Sequence, residues 1–201
     1  MAKMIDDFKD REGMWVKSFK VVNIAYETSA YSRWVSMNSR CKSGGSKQGR
    51  SPQYIGCVVG DNFKDFQFFV NWYTHQVGYG IDGYAVDKDI LFHGNKTYSE
   101  HTCALVPEAL NSFLVFCDAK RGAWPLGVGY DSKRGKFRSY ISRDRKLIHL
   151  GYYNTPEEAH LAYKTAKEAE AYRWYERLRD GEFVVDPRVI ERMRTWKLET
   201  V

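Results

Sequence analysis

Apolar positions recur at two different periods along this chain, and the period changes near residue 126. Residues 30–41 (AYSRWVSMNSRC) repeat at intervals of three and four: Trp34, Met37 and Cys41 share one face, so a helix is expected. Residues 62–76 (NFKDFQFFVNWYTHQ) repeat in the same way, with Phe63, Phe66, Phe69, Val70 and Tyr73 on the apolar side of a second helix. Both stripes read as core packing. Upstream, Trp15 to Val22 alternate in the manner of a strand, and a Gly/Ser/Lys connector spans 42–51. Residues 85–114 read as a strand, a loop turning at Gly94-Asn95, a short strand, and a helix opening near Pro107, a β-β-α unit. No internal repeat is visible.

From 126 onward the period is two. LGVGYD is a short strand, SKRG a turn, KFRSYISR a strand and KLIHLGYY another. In the middle strand Phe137, Ser139 and Ile141 share one face, and Arg138, Tyr140 and Ser142 share the other. A helix then opens with Thr155 as N-cap, Pro156 at the first helical position and Glu158 closing a capping box; Gly181 ends it. Ala159, Ala162, Tyr163, Ala166 and Ala169 are expected along the face that meets the sheet. FVVDPRVIERMRTW reads as a strand, turn and helix packed on this module.

Composition narrows the class. Hydrophobic residues make up 43% and aromatics 15%, enough for packed cores and too much for a disordered chain. No apolar run approaches the ~20 residues needed to span a bilayer. The stretch MAKMIDDFKDREGMW has no apolar core, so no secretory signal and no membrane partner are expected, and the protein is expected in the cytoplasm. Cys41, Cys57, Cys103 and Cys117 form no CxxC pair; they read as buried thiols, and a structural zinc site is not expected.

The net charge is +6, and its distribution is uneven. Between Lys120 and Gly151 nine Lys or Arg face only Asp131 and Asp144, a local charge of +7 that leaves −1 for the rest. By itself such a run is most simply a solvated face. Confined to one sheet, it suggests a footprint for a polyanion.

Residues 127–172 carry a recognisable set of marks: Gly127-Val128, Gly135-Lys136-Phe137, Ile141, Leu150-Gly151-Tyr152-Tyr153, Thr155, Glu157-Glu158-Ala159 and Ala162-Tyr163. With these the segment resembles the Apetala / ethylene-response-factor DNA-binding domain, in the form found in phage and bacterial homing endonucleases. The resemblance implies that the sheet enters the major groove of double-stranded DNA while the helix backs it, and a narrow sheet does suit a groove ~12 Å wide. It implies a reading face of Arg138, Tyr140, Ser142 and His149, flanked by Arg134, Lys136, Arg143 and Lys146. Arg138 is the expected bidentate partner of guanine, and the lysines are expected on phosphate. His149 stands where the family has a tryptophan. Gly129, Asp131 and Tyr140 replace family arginines, so the preferred site is expected to differ.

The upstream module has marks of its own: Trp34-x-x-Met37-x-x-Arg40-Cys41, Asp87-Lys88-Asp89-Ile90-Leu91, and Val106-Pro107-x-x-x-Asn111. These resemble phage proteins of the HNH homing-endonuclease family. The resemblance implies a divalent ion, Mg²⁺, held by Asp87 and Asn111, with water activated beside it. Lys88 stands at the position of the general-base His, and Tyr98 at that of the middle Asn. A lysine is a poor base near neutral pH; His93 or His101, in the same loop region, is a candidate substitute, although a lone loop His is more often solvated. Asp89 falls on the opposite strand face.

The expectation is therefore an α+β protein with an HNH-like β-β-α module over 1–118, followed over 119–201 by a three-stranded antiparallel sheet packed on one helix. It is a DNA-binding protein of phage homing-endonuclease type that nicks or cuts with Mg²⁺. The alternative is a degenerate HNH scaffold, a non-enzymatic factor that binds DNA or a host protein. The missing Asp-His pair favours the alternative.

Overall fold

The computed structural model describes residues 8–9, 15–16, 24–42, 54–114, 123–143 and 146–198. The elements in chain order are β1 (Phe8–Lys9), β2 (Trp15–Val16), α1 (Ile24–Cys41), β3 (Val58–Val59), α2 (Asp61–Lys64), α3 (Phe66–Thr74), β4 (Tyr84–Asp87), β5 (Thr97–Tyr98), β6 (Ala104–Pro107) and α4 (Glu108–Leu114). After these come β7 (Val128–Asp131), β8 (Lys136–Arg143), β9 (Lys146–Tyr153), α5 (Pro156–Arg179) and α6 (Pro187–Arg194). The fold is α+β. It divides into two compact units, Met1–Val115 with Val184–Val189, and Phe116–Phe183 with Ile190–Val201. Among the described residues no helix is long and apolar enough to cross a membrane. Cys117, Lys120, Arg121, Asp144, Arg145 and most of the 42–51 connector lie outside them, as does the end of the alternating stretch after Val16.

The first unit is built on aromatic packing. The helix expected over 62–76 is two helices, because Asp65 takes an extended backbone and caps the second one: its Oδ1 accepts from the Gln67 and Phe68 amides at 2.8 and 3.3 Å. The break lets Phe63 turn under α3, where its ring meets those of Phe69 and Trp72 at 5.2 and 4.7 Å between centroids. Trp34 of α1 packs on Phe66 and donates its indole N–H to the Phe63 carbonyl at 2.8 Å. Phe63 and Phe69 are wholly buried, each contributing about 1.5–3 kcal/mol in area removed from water. On this core lies the β-β-α element. β4 pairs antiparallel with β6, Tyr84 opposite Pro107 and Asp87 opposite Ala104, and α4 follows at once. β5, the strand after Gly94-Asn95, instead pairs parallel with β3.

The second unit is the three-stranded antiparallel sheet β7-β8-β9 with α5 across one face. The Thr155 capping box forms as the sequence demands, the Thr155 hydroxyl accepting from the Glu158 amide and the Glu158 carboxylate from the Thr155 amide. Ile141 of β8, Tyr163 of α5 and Leu198 make the core, with Ile148, Leu150 and Trp196 against it. Gly127 is obligatory here: at φ +78, a Cβ on it would lie 2.1 Å from the Tyr163 ring. The buried face of α5 runs through Ala159, Tyr163, Lys167, Glu170, Ala171, Trp174 and Leu178. Ala169, expected on that face, is exposed: the 3.6-residue period carries Lys167 and Glu170 inward in its place. In the tail the helix forms as α6, but Phe183–Asp186 is not a strand.

Candidate nucleic-acid interface

The cross-strand register decides which side chains leave the sheet on the side away from α5. Gly129 faces Arg138, which faces Tyr152; Tyr140 faces His149, and Ser142 faces Leu147. Between these pairs the register slips. Ser139 pairs with Gly151 and Tyr140 with His149, so Leu150 is an extra residue on β9, a β-bulge. Simple alternation along β9 would put Tyr153 beside His149. The bulge reverses the parity after Leu150, sending Tyr152 outward and turning Gly151 and Tyr153 toward the helix. Gly151 takes φ +146, a conformation side chains rarely adopt.

The outward face is a shallow basin of about 250 Å³ lined by Arg138, Tyr140, Leu147, His149 and Tyr152. Its aromatic groups hold its cations in place. The Arg134 guanidinium lies 4.8 Å above the Tyr152 ring, Arg138 lies 5.8 Å from Tyr140, and His149 packs on Tyr152 at 4.6 Å. Gly129 has no side chain to fill the space beneath: a Cβ there would meet the Tyr140 hydroxyl at 3.2 Å and Arg138 Nε at 3.3 Å. Gly129 thus lets Arg138 and Tyr140 lie flat across β7. Lys136 and Ser142 are exposed on the same face, and Lys146 is exposed at the far end of the hairpin. Among the described residues Arg138, Lys136 and Lys146 form no ion pair.

One expected member, Arg143, behaves differently. Arg143 does not flank this face. It sits at odd parity with Ile141, and its Nε donates to Glu170 of α5 at 2.6 Å; Arg173 reaches the same oxygen at 3.3 Å. Its charge serves the sheet-helix junction. Asp131 accepts from the Lys133 and Arg134 amides at 3.1 and 3.2 Å, building the turn and holding Arg134 at 3.7 Å. Leu147 and Tyr152 were missing from the sequence reading. Plain alternation from His149 was enough to find Leu147; Tyr152 required the bulge.

In the first unit Asp87, Lys88 and Tyr98 are turned inward. Asp87 ends β4, and its Oδ1 accepts from the Asp89 and Ile90 amides at 2.8 and 2.6 Å. Burial, helped by the charge of Asp89, pushes its carboxyl above the usual range. Lys88 is 4% exposed. Its ammonium donates to the Asp89 carboxylate at 2.5 and 2.6 Å and to the Asn95 carbonyl at 3.0 Å, and lies 5.6 Å from the centre of the Tyr98 ring. Asn95 closes the web, its amide donating to the carbonyls of Lys88 and Thr97 at 2.8 and 2.7 Å. Tyr98 is buried, its phenol pushed up by desolvation. His93 and His101 are exposed, His101 beside Glu100 at 3.7 Å.

Asn111 lies elsewhere, in a cleft of about 320 Å³ whose floor is Met37, Phe69, Ala85 and Val86; Asp87 does not line it. Asp87 is thus tied through Oδ1 to two backbone amides, and Asn111 lines a cleft that Asp87 does not. Among the described residues no three His, Cys, Asp or Glu side chains assemble as a metal set. Cys41, Cys57 and Cys103 are free thiols, and burial raises Cys41 to about 11 and Cys103 to about 12.

Comparison with protein-family models, with curated proteins and with solved structures finds no match.

Proposed function

We propose that this protein binds double-stranded DNA through the outward face of β7-β8-β9, with α5 as its backing, and that its first unit is a non-catalytic scaffold of the HNH kind. One observation carries the reading: Arg138, Lys136 and the Arg134–Tyr152 stack share a single open face, while Asp131 is drawn into the β7–β8 turn and Glu170 into the helix junction. Arg138 meets a guanine edge with its paired donors, and Leu147, 69% exposed, offers an apolar contact of the kind a thymine methyl takes. Lys136, Lys146 and Arg134 contact phosphate. The homing-endonuclease resemblance of 127–172 supports the same partner.

The reading of the first unit as a scaffold rests on Lys88. A base must be free to take a proton from water, and this ammonium is locked between Asp89, Asn95 and Tyr98. Fluorescence anisotropy with duplex DNA tests the first part. With about four phosphate contacts, affinity falls about a hundred-fold between 50 and 200 mM salt; a flat profile removes the electrostatic face. A supercoiled-plasmid assay with Mg²⁺ and with EDTA tests the second: uncut plasmid in both is expected, and Mg²⁺-dependent nicks would return the first unit to the nucleases.

A further inference from the structure

We infer that the cleft of the first unit is a binding site for a phosphate-bearing nucleotide. It belongs to the first unit and does not rest on the DNA-binding reading of the sheet.

Ser29, Ser32, Arg33, Ser36 and Arg40 recur at helical spacing along α1, so five polar side chains share one face over three turns. All five line the cleft, and Asn111 of α4 joins them. The polar lining is thus three serine hydroxyls, two guanidinium groups and one carboxamide, with the Tyr98 phenol beside Arg40. Among the described residues no carboxylate lines it. That donor set suits a phosphoryl group, which accepts through three oxygens and carries negative charge.

The guanidinium groups are held before any ligand arrives. Arg33 donates to the Tyr84 carbonyl and approaches Glu108 at 3.7 Å at the exposed edge. Arg40 reaches the Tyr98 hydroxyl at 3.5 Å and lies 5.3 Å from the Tyr54 ring centre. Side chains already ordered lose less entropy when they bind. The floor is apolar and suits a sugar or base, as the rim suits phosphate. At about 320 Å³ the cleft stands at the small end of the ~300–1,000 Å³ typical of ligand sites, so it takes one nucleotide rather than a duplex. A free nucleotide and the phosphorylated end of a strand offer the same chemistry.

The test is an amide chemical-shift titration of the full chain with a 2′-deoxynucleoside 5′-monophosphate. Shifts are expected at Ser32, Ser36, Arg40 and the Asn111 side-chain amide, with little response to the unphosphorylated nucleoside. Ser36→Asp, which sets a negative charge against both guanidinium groups, weakens binding at least tenfold with the melting temperature unchanged; Ser36→Ala keeps binding within about threefold. A 5′-phosphorylated oligonucleotide that binds more tightly than the monophosphate makes a strand end the source, and equal binding makes it a free nucleotide. No shift on α1 overturns the proposal, as does an equal response to nucleoside. Shifts confined to 136–153 overturn it too, while leaving the DNA-reading sheet intact.

Discussion

Asp87 and Arg138 both stand on strands of small antiparallel sheets, and the two units put such charges to opposite uses. Around Asp87 the polar groups are spent on one another: Lys88 on Asp89, Asn95 on the Lys88 carbonyl, and Asp87 on two amides of its own loop. Around Arg138 the charges are propped on aromatic rings and left facing outward. Burial makes the difference. Lys88 is nearly sealed from water and must find a counter-charge. Arg138 is exposed and keeps its hydration. A charged motif in sequence is thus compatible with either fate, and the local packing selects between them.

The largest test of this contrast removes the scaffold beneath the outward face. Gly127→Ala drives a methyl group into the Tyr163 ring, at a cost of about 3 kcal/mol from overpacking on a strained backbone, and DNA affinity falls with it. Urea unfolding read beside anisotropy checks this. Unchanged stability would mean that the α5–sheet contact is loose.

Alkaline pH should act on the two units with opposite sign. Lys167 of α5 is 7% exposed, and burial lowers its ammonium from 10.5 to about 8 despite the neighbouring Glu170. Between those values the unfolded chain binds more protons, so this group makes folding more favourable as pH rises, by roughly 2–3 kcal/mol. Cys103 runs the other way: raised from 9.0 to about 12, it stays protonated in the fold while the unfolded thiol ionises, so stability falls above pH 9. Unfolding curves at pH 8 to 10.5 for the wild type, Lys167→Met and Cys103→Ala separate the two. The advantage of Lys167→Met should shrink across this range, and a constant difference would show that Lys167 is charged in the fold throughout.

A pair of substitutions sharpens the contrast further. Asp87→Ala strips two amides of their acceptor and should cost about 1–3 kcal/mol of stability with DNA affinity unchanged. Arg138→Ala should do the reverse: about 1–3 kcal/mol of binding, with specificity relaxed at one base position, and stability within ~0.5 kcal/mol. If Asp87→Ala lost affinity at full stability, the first unit would belong to the interface. The smallest effect is expected from Lys146→Ala, a phosphate contact that weakens all duplexes alike, by under ~1 kcal/mol. A sequence-dependent loss would move Lys146 among the base readers.

The sequence by itself determined the local structure of the second unit. Period-two alternation set the faces of β8, and Thr155-Pro156 with Glu158 set the start of α5, because strand parity and helix capping are read within a few residues. It determined the aromatic core of the first unit for the same reason. What it left open was every choice made between elements. Nothing within β9 announces that Leu150 is surplus: a bulge exists only relative to the strand opposite, and so Tyr152 went unseen. Arg143 looked like one more cation of a basic run until α5 brought Glu170 to within 2.6 Å of it. The cleft on α1 was legible only as a serine- and arginine-bearing helix face, since its far wall, Asn111, comes from a helix seventy-one residues beyond Arg40. Covalent neighbours decide conformation through short-range sterics and hydrogen bonds; which side chains share a site is decided by packing across the chain, where burial and charge are balanced between residues that the sequence keeps apart.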